Sequence, residues 1–478
     1  MEFDMLAAAR RVLLDNGFVP DIPEGIERTI PNDPHEETEN LMHLPWSSID
    51  NEESRDLDQI EYAERLEDGS IRLLIGIADV DVFVPRGSPV DQFARANTTS
   101  LYTGIHVFPM LPEILSTERT SLLEGGDRIA IITDMVVRRD GTIEDRETRV
   151  YPARVTNHAK LVYERVGAWL EGDANAKPRD KRIATQLRLQ DEAAQRLRKR
   201  RYDLGALDFE TIEARPVAKD GKIVDLAVTH KNRARDLIED LMIAANGATA
   251  RFLEKRGVSS IRRVVRAPKR WPRIVELAAS NGFKLPIEPN ALELSKFLIA
   301  RRAADPTHFA DLSLSVVKLM GPGEYAVQRA TDPDHGHFGL AVDDYMHSTA
   351  PNRRYPDLVT QRLLKATASN GPAAYTDSEL VEIAAHCTER ENAARKVERT
   401  IRKIAAAALL APRVGETFDA IVTGVADKGT FARLLHPPAE GRVVSGERGL
   451  DVGDAIRVRL VDTEPTKGFI DFVAVDRR

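Results

Sequence analysis

Between Asp50 and Gln59 the chain places five carboxylates, Asp50, Glu52, Glu53, Asp56 and Asp58, within ten residues. Close like charges repel by roughly 1 kcal/mol per pair even in water. Such a segment belongs either in a solvated loop or in a site supplied with cations. The apolar run Leu73-Leu74-Ile75-Gly76-Ile77-Ala78 follows shortly and ends at Asp79, so the acidic stretch is tied to a buried strand. If residues 56–58 are extended, Asp56 and Asp58 point to one side and Leu57 into the core. A calcium loop of the EF-hand type is excluded, because Arg55 stands at the sixth position, where that loop needs glycine. Magnesium suits the segment better, since it keeps several waters and binds through a few carboxylates plus substrate phosphates. The cluster alone leaves a solvated acidic loop equally open.

The 478 residues suggest about three domains. A hydrophobic content of 42% and a charged content of 30% are those of an ordinary soluble globular chain. No apolar run is long enough to span a bilayer. The N-terminus, MEFDMLAAARRVLLDNG, has the pattern of an amphipathic helix and not of a signal peptide. The lone Cys387 excludes an intramolecular disulfide and any Cys-rich zinc site. A cytoplasmic, monomeric protein without membrane attachment is expected. The net charge of -7 argues mildly against a surface coated for nucleic acid. Basic residues are nevertheless clustered, at Arg196–Arg201, at Arg262–Arg270 and at Arg390–Lys403. Three such runs in an acidic chain point to a polyanion held in an internal groove.

Residues 1–40 hold one short helix and a polar segment, Ile30-Pro31-Asn32-Asp33-Pro34, too little for a core of their own. Strands are predicted over 71–84 and over 129–150, the latter two joined at Asp140-Gly141. Helices are predicted over 158–172 and 180–202, and strands over 204–230 with a turn at Lys219-Asp220-Gly221. The spacing of Leu237, Leu241, Ala244, Ala245, Ala248 and Phe252 predicts a helix over 232–256, stopped by Gly257. Further helices are predicted over 269–282, 289–302, 356–369 and 377–411. After Pro412 five short β runs in quick succession suggest a small barrel of the OB type.

Two other constellations bear on chemistry. Arg353 and Arg354 directly precede a helix N-terminus, where guanidinium forks and unpaired backbone N–H groups suit a phosphate. Tyr102, Tyr163 and Phe209 are aromatics in polar or Gly-rich settings. Each is read as core on its own; beside a groove, each could stack on a base, worth roughly 1–3 kcal/mol.

Eight motifs taken in order carry a resemblance. They are Ser48-Ile49-Asp50 through Asp58, Ile77-Ala78-Asp79, Pro109-Met110-Leu111-Pro112, Lys160-Leu161-Val162-Tyr163, Gly205-Ala206-Leu207-Asp208-Phe209, Met242-Ile243-Ala244-Ala245-Asn246, His337-Phe338-Gly339-Leu340 and Pro351-Asn352-Arg353-Arg354-Tyr355. Together they resemble the ribonuclease II / ribonuclease R family and its catalytic RNB domain. The resemblance implies an α+β fold: a helical extension over 1–40, an RNB domain with a mixed sheet and packed helices over 41–411, and an S1-like OB barrel over 412–478. It also implies a hydrolytic 3′-to-5′ exoribonuclease that degrades single-stranded RNA to 5′-mononucleotides with magnesium, manganese being the substitute ion.

By the same resemblance Asp50, Asp56 and Asp58 match the metal and catalytic carboxylates, and Gln59 completes the metal set. Asp56, Asp58 and Arg353 would carry catalysis, with Arg353 near the scissile phosphate. Tyr102 and Phe209 match the pair that clamps the terminal bases. Tyr163, Glu239 and Glu398 fall around the RNA end, together with Arg353 and Arg354; Asp240 competes with Glu239 for its place.

Two departures stand out. The family pattern has a second aspartate after Asp58, where this chain has Gln59, an amide that can ligate through oxygen but brings no charge. Residues 1–40 also cannot encode the cold-shock folds that precede the catalytic domain in larger members. A non-catalytic RNA-binding protein is therefore the alternative reading, and a third is an enzyme whose substrate is a special RNA or short oligonucleotides.

Overall fold

The computed structural model describes residues 3–32, 38–210, 214–219, 222–228, 231–306, 308–332, 336–426 and 429–477. The chain runs through α1 (Met5–Asp15), β1 (Glu39–Asn40), β2 (Trp46–Asp50), β3 (Gln59–Arg65), β4 (Ile71–Ala78) and α2 (Pro89–Asn97). There follow β5 (Leu101–Tyr102), β6 (Val107–Phe108), β7 (Asp127–Val137), β8 (Arg149–Val162), α3 (Tyr163–Leu170) and α4 (Lys181–Asp203). The middle of the chain holds β9 (Ala214–Lys219), β10 (Lys222–Val228), α5 (Arg233–Glu254), β11 (Ser260–Val264), α6 (Trp271–Ser280), α7 (Ala291–Ala304), α8 (Phe309–Met320) and β12 (Glu324–Gln328). It ends with α9 (Tyr355–Ala368), α10 (Asp377–Leu410), β13 (Thr417–Ala426), β14 (Gly429–Leu434), β15 (Glu440–Ser445), β16 (Ala455–Glu464) and β17 (Phe469–Arg477).

The main sheet has the order β1-β8-β2-β3-β4-β7, and β8 also pairs with β7. The first half of β8 runs antiparallel to β7, and its second half runs parallel to β2. The sheet therefore curls back on itself. This pairing explains a difference from the sequence reading: residues 158–162 were expected in a helix but form a strand, because β2 supplies a backbone partner for them. The helix begins at Tyr163. Similarly, β4 stops at Ala78, short of the expected 84, where the chain turns to meet α9. Helices α2 and α8 were not expected at all. Asp140-Gly141 lies at the expected hairpin tip, where Gly141 has φ +81° and an added Cβ would strike the Arg196 carbonyl of α4. Asp220 and Gly221 of the other expected turn lie outside the described residues, as do Asp33 and Pro34.

Helices cover both faces of the sheet. Trp46, Leu57, Ile60 and Leu74 pack against Leu358, Val359 and Leu363 of α9. Ile49, Leu73, Ile75 and Met135 pack against Leu187, Ala194, Leu237 and Leu241 of α4 and α5. Helix α5 forms as the spacing predicts: Asn232 caps it by accepting from the Arg235 amide, and its six predicted apolar residues are all buried. Where β3 lacks a full strand partner, α4 replaces it. Gln186 accepts from the Ala63 N–H and donates to the Ala63 carbonyl, and Gln190 donates to the Glu61 carbonyl. Helices α6 to α8 form a separate cluster around Trp271, Phe297 and Phe309.

The last five strands close a barrel in the order β13-β14-β15-β17-β16. Burial alternates along β14 and β16 as in a half-buried strand. The barrel core includes Ala406, Ala407 and Leu410 at the end of α10, so that helix carries the barrel. The α+β class and the C-terminal OB-type barrel are as the sequence predicted. Among the described residues no helix is long and apolar enough to cross a membrane.

Two half-buried imidazoles make the fold sensitive to acid. Burial pushes His337 down to about 4, helped by the Arg263 charge, and pushes His347 well below its ordinary value, with Arg354 and Arg263 adding repulsion. The ring of His347 is held by the Tyr325 hydroxyl at 2.8 Å from Nδ1. Unfolded imidazoles titrate near 6.5, so below that pH the unfolded chain takes up protons that the folded chain refuses. This contribution to stability is fully present above pH 6.5 and is lost as pH falls toward about 4. The urea midpoint is expected to fall between pH 7 and pH 5, and His347→Gln should flatten that fall. An unchanged pH profile in the variant would remove His347 from the account.

Candidate active site

The acidic segment links the end of β2 to the start of β3. Asp50, the last residue of β2, accepts from the Asn51 N–H at 2.7 Å and from the Ser54 hydroxyl at 2.8 Å. Lys160 of β8 donates to the carbonyls of Glu52 and Ser54 at 2.8 and 2.5 Å, which curves the loop around an ammonium group. Ser121 accepts from the Leu57 N–H and donates to the Arg55 carbonyl. Leu57 is fully buried, as predicted, and Asp58 beside it is enclosed as well.

Those aspartates have different partners. The Tyr102 hydroxyl donates to Asp56 at 2.7 Å. Asp58 accepts from Arg353 Nε at 3.1 Å and from the Asn352 backbone N–H at 3.1 Å. Burial pushes the Asp58 carboxyl up to about 6; the Arg353 charge opposes that shift, and Asp56 adds to it. The Arg353 side chain is 46% exposed, so its guanidinium joins Asp58 on one side and faces solvent on the other. Its position is fixed by backbone: the Arg353 carbonyl accepts from the Ser100 N–H, and Tyr355 N–H donates to Thr98. The same ladder therefore sets both Arg353 and the neighbouring Tyr102.

On the other flank, Tyr163 begins α3. The Arg235 guanidinium lies 4.3 Å from its ring centroid, and burial together with the charges of Asp50 and Glu61 raises its hydroxyl pKa. Asp50, Asp56, Asp58, Gln59, Tyr102, Tyr163 and Arg353 thus surround one region at the end of the sheet. Among the described residues, no three carboxylates, histidines or cysteines are gathered at metal-holding distance. The chemistry of the donor set nevertheless fits a divalent cation. Asp58 is a buried carboxylate held by only two donors, and Glu61 is a buried carboxylate whose two oxygens have no hydrogen-bond donor among the described residues.

The other predicted residues are placed differently. Phe209 packs at the edge of the α6–α8 cluster, positioned by the Leu207 N–H to Gly339 bond at 2.9 Å and by the Arg302–Asp208 ion pair at 2.6 Å. It sits on a different substructure from Tyr102. Glu239 is exposed on α5, one helical turn beyond Arg235, whereas Asp240 is buried against Arg198 and Arg201. The structure thus gives Asp240 a packing role. Arg354 is turned inward to Asp357 at 2.7 Å. Glu398 is half-buried on α10.

Sequence reasoning missed Glu61, Arg235 and Ser121. The only signal for Glu61 was an acid two residues beyond Gln59, which alternation places on the same side of the strand.

A model of the RNB domain matches residues 38–370, and a model of the RNase II-type exonuclease C-terminal S1 domain matches residues 416–475. Ribonuclease R of Escherichia coli K12 is 30% identical over 427 residues, covering 86% of this chain. The chain spans about half the length of that relative, 51%. Mycoplasma genitalium RNase R, solved in complex with ribose methylated single-stranded RNA, superposes with a TM-score of 0.88 at 22% identity, over 99% of this chain and 78% of that one. Yeast Ssd1, described as a pseudonuclease, shares the fold at a TM-score of 0.73 and 18% identity, over 95% of this chain and 58% of that one. Matched by the RNB domain over most of its length, with the S1-type barrel behind it, the chain belongs to the ribonuclease II / ribonuclease R family of RNB-domain proteins.

Proposed function

We propose that this protein is a magnesium-dependent 3′-to-5′ exoribonuclease that hydrolyses single-stranded RNA to 5′-mononucleotides. The observation that carries the reading is the Asp58–Arg353 pair, a buried carboxylate joined to a half-exposed guanidinium beside Asp50, Asp56 and Tyr102. The names of its relatives, ribonuclease R, and the RNA held by the Mycoplasma protein support it.

In this reading Asp50, Asp56, Asp58 and Gln59 hold the cation, which when bound supplies the charge that activates water and steadies the leaving oxygen. Arg353 moves its free N–H groups from solvent to a phosphoryl oxygen and offsets the charge that grows there. Tyr102 offers its ring to a terminal base while its hydroxyl stays on Asp56, so base stacking and carboxylate orientation are coupled. Phe209, on the α6–α8 cluster, would supply the second stacking surface. Tyr163, Glu239, Arg354 and Glu398 border the RNA end.

A second reading, an RNA-binding protein without turnover, is favoured by one observation: Gln59 stands where the family pattern has an acid. The shared fold of a pseudonuclease shows that the architecture alone does not choose between them.

On 5′-labelled single-stranded RNA with magnesium, the exonuclease reading expects a ladder that shortens by one nucleotide at a time, and no products in EDTA. Binding without any product in magnesium or manganese would establish the second reading instead. Rates on 4-mers and 30-mers distinguish short-oligonucleotide from long-RNA preference. Asp58→Asn should abolish nucleotide release while RNA binding in EDTA persists; wild-type turnover in that variant would sink the assignment of Asp58. Arg353→Lys should lower turnover by about 10²–10³-fold, the usual loss for a transition-state charge donor. A change confined to binding would make Arg353 a docking residue only.

A further inference from the structure

Arg390, on α10, is an unusual buried cation. Its residue is 8% exposed, and neither Nε nor Nη2 meets an acceptor among the described residues. A buried charge is ordinarily paired with an opposite one. Here Nη1 donates to the Asn16 carbonyl at 3.1 Å, and the guanidinium lies 3.8 Å from the Phe18 ring centroid. A helix end and a ring take the place of a carboxylate.

Asn16 and Phe18 flank the glycine that stops α1. Gly17, at φ +76°, turns the chain so that its own N–H donates to the Leu14 carbonyl and the Phe18 N–H to the Leu13 carbonyl. Arg390 takes up a further carbonyl at this C-terminus, where a cation is favoured. One residue on, Asn97 of α2 clasps Val19, accepting from its N–H at 2.9 Å and donating to its carbonyl at 3.0 Å. The end of α1 is therefore fixed from two sides.

What α1 covers is the back of the hairpin that carries Tyr102. Strands β5 and β6 pair Leu101 with Phe108 and Tyr102 with Val107. Leu101 and Phe108 are buried in one cluster with Ala9, Leu13 and Phe18 of the N-terminal segment and Val397 of α10. Tyr102 and Val107 are exposed, and the Tyr102 hydroxyl reaches Asp56 at 2.7 Å. Alternation thus puts the α1 contact on one face of the hairpin and Tyr102 on the other. The two short strands form a sheet of their own, which is not stable without packing behind it.

Resting on the exoribonuclease reading above, in which Tyr102 stacks on a terminal base, we propose that α1 is the backstop of that stacking surface and that Arg390 is its positioning residue. Arg390 acts through α1 and not on the RNA. It locks the end of α1 against α10, α1 fixes the Leu101 and Phe108 face, and that face sets the Tyr102 ring.

The test uses the full chain in EDTA, where nothing is hydrolysed, with two single-stranded RNAs of one sequence. One carries 2-aminopurine at its 3′ end, the other fluorescein at its 5′ end. Stacking quenches the 2-aminopurine, and the part of the quenching lost in Tyr102→Ala reports the Tyr102 contact; fluorescein anisotropy reports overall affinity. Arg390→Met and Leu13→Ala should each lose at least about half of the Tyr102-dependent quenching, while affinity changes by less than about threefold. Leu13→Met, of nearly the same volume, should keep it. Circular dichroism checks that each chain is folded. Full quenching in Leu13→Ala overturns the inference and leaves the role of Tyr102 intact; full quenching in Arg390→Met alone rejects Arg390 as the lock. A loss of quenching that only follows a loss of affinity overturns it too. A wild-type chain without Tyr102-dependent quenching overturns both the inference and the stacking reading. Should the variants fail to fold, hydrogen exchange of the wild-type chain decides the matter. Amides of residues 101–108 that open together with those of α1 support the coupling, and hairpin amides that stay protected while α1 exchanges reject it.

Discussion

Gln361, Arg362 and Lys365 fasten α9 to the far end of β4, and the placement of Arg353 just ahead of that helix follows from this contact. Gln361 accepts from the N–H groups of Val80 and Asp81 and donates to the Ala78 carbonyl. Arg362 pairs with Asp81 and Asp91 and donates to the Val84 carbonyl, and Lys365 reaches Asp79 at 2.8 Å. These pairs are buried, so their net contribution to stability is modest, but removing one partner typically costs about 3–5 kcal/mol. They act chiefly by fixing a single docking geometry. Without it, residues 295 positions apart could not present Asp58 and Arg353 to one another within hydrogen-bond distance.

Basic residues have a related role. The clustered arginines suggested a surface for a polyanion, yet many are engaged inside the fold. Arg198 and Arg201 meet at Asp240, Arg262 is buried near Glu254 and Asp344, and Arg263 forms a fork with Glu391. Arg390 lies over the Phe18 ring. A chain of net charge -7 uses much of its positive charge to neutralise its own buried acids. That leaves half-exposed groups such as Arg353 among the cations still facing solvent.

How far the sequence could be read depended on whether a signal was local. The barrel was legible because alternation, turn residues and short spacing are all set within a few residues. Helix α5 was legible for the same reason. Leu57 between Asp56 and Asp58 announced its own orientation. By contrast, the helix expected at 158 was displaced by a strand partner that lies more than a hundred residues away in sequence, at β2. Asp240 was separated from Glu239 only by the position of α4. Glu61 carries no such local signal, because Ile60 and Tyr62 beside it supply the apolar alternation of a strand with an outward-facing acid. Only the helices on the second face of the sheet reveal that it is enclosed.

The length of α10 has a mechanical consequence. Its 34 residues extend for about 51 Å as one uninterrupted helix. Near its start it packs against the α9 face, in its middle it meets α1 and the Tyr102 hairpin, and its last turn enters the barrel core. It is therefore a shaft on which three separate parts are mounted at fixed angles. Adding a single residue within it would rotate the barrel by about 100° and advance it by about 1.5 Å relative to the carboxylate end. The distance from barrel to acidic segment is thus set by residue count, and their mutual orientation by the same count taken modulo the helical turn.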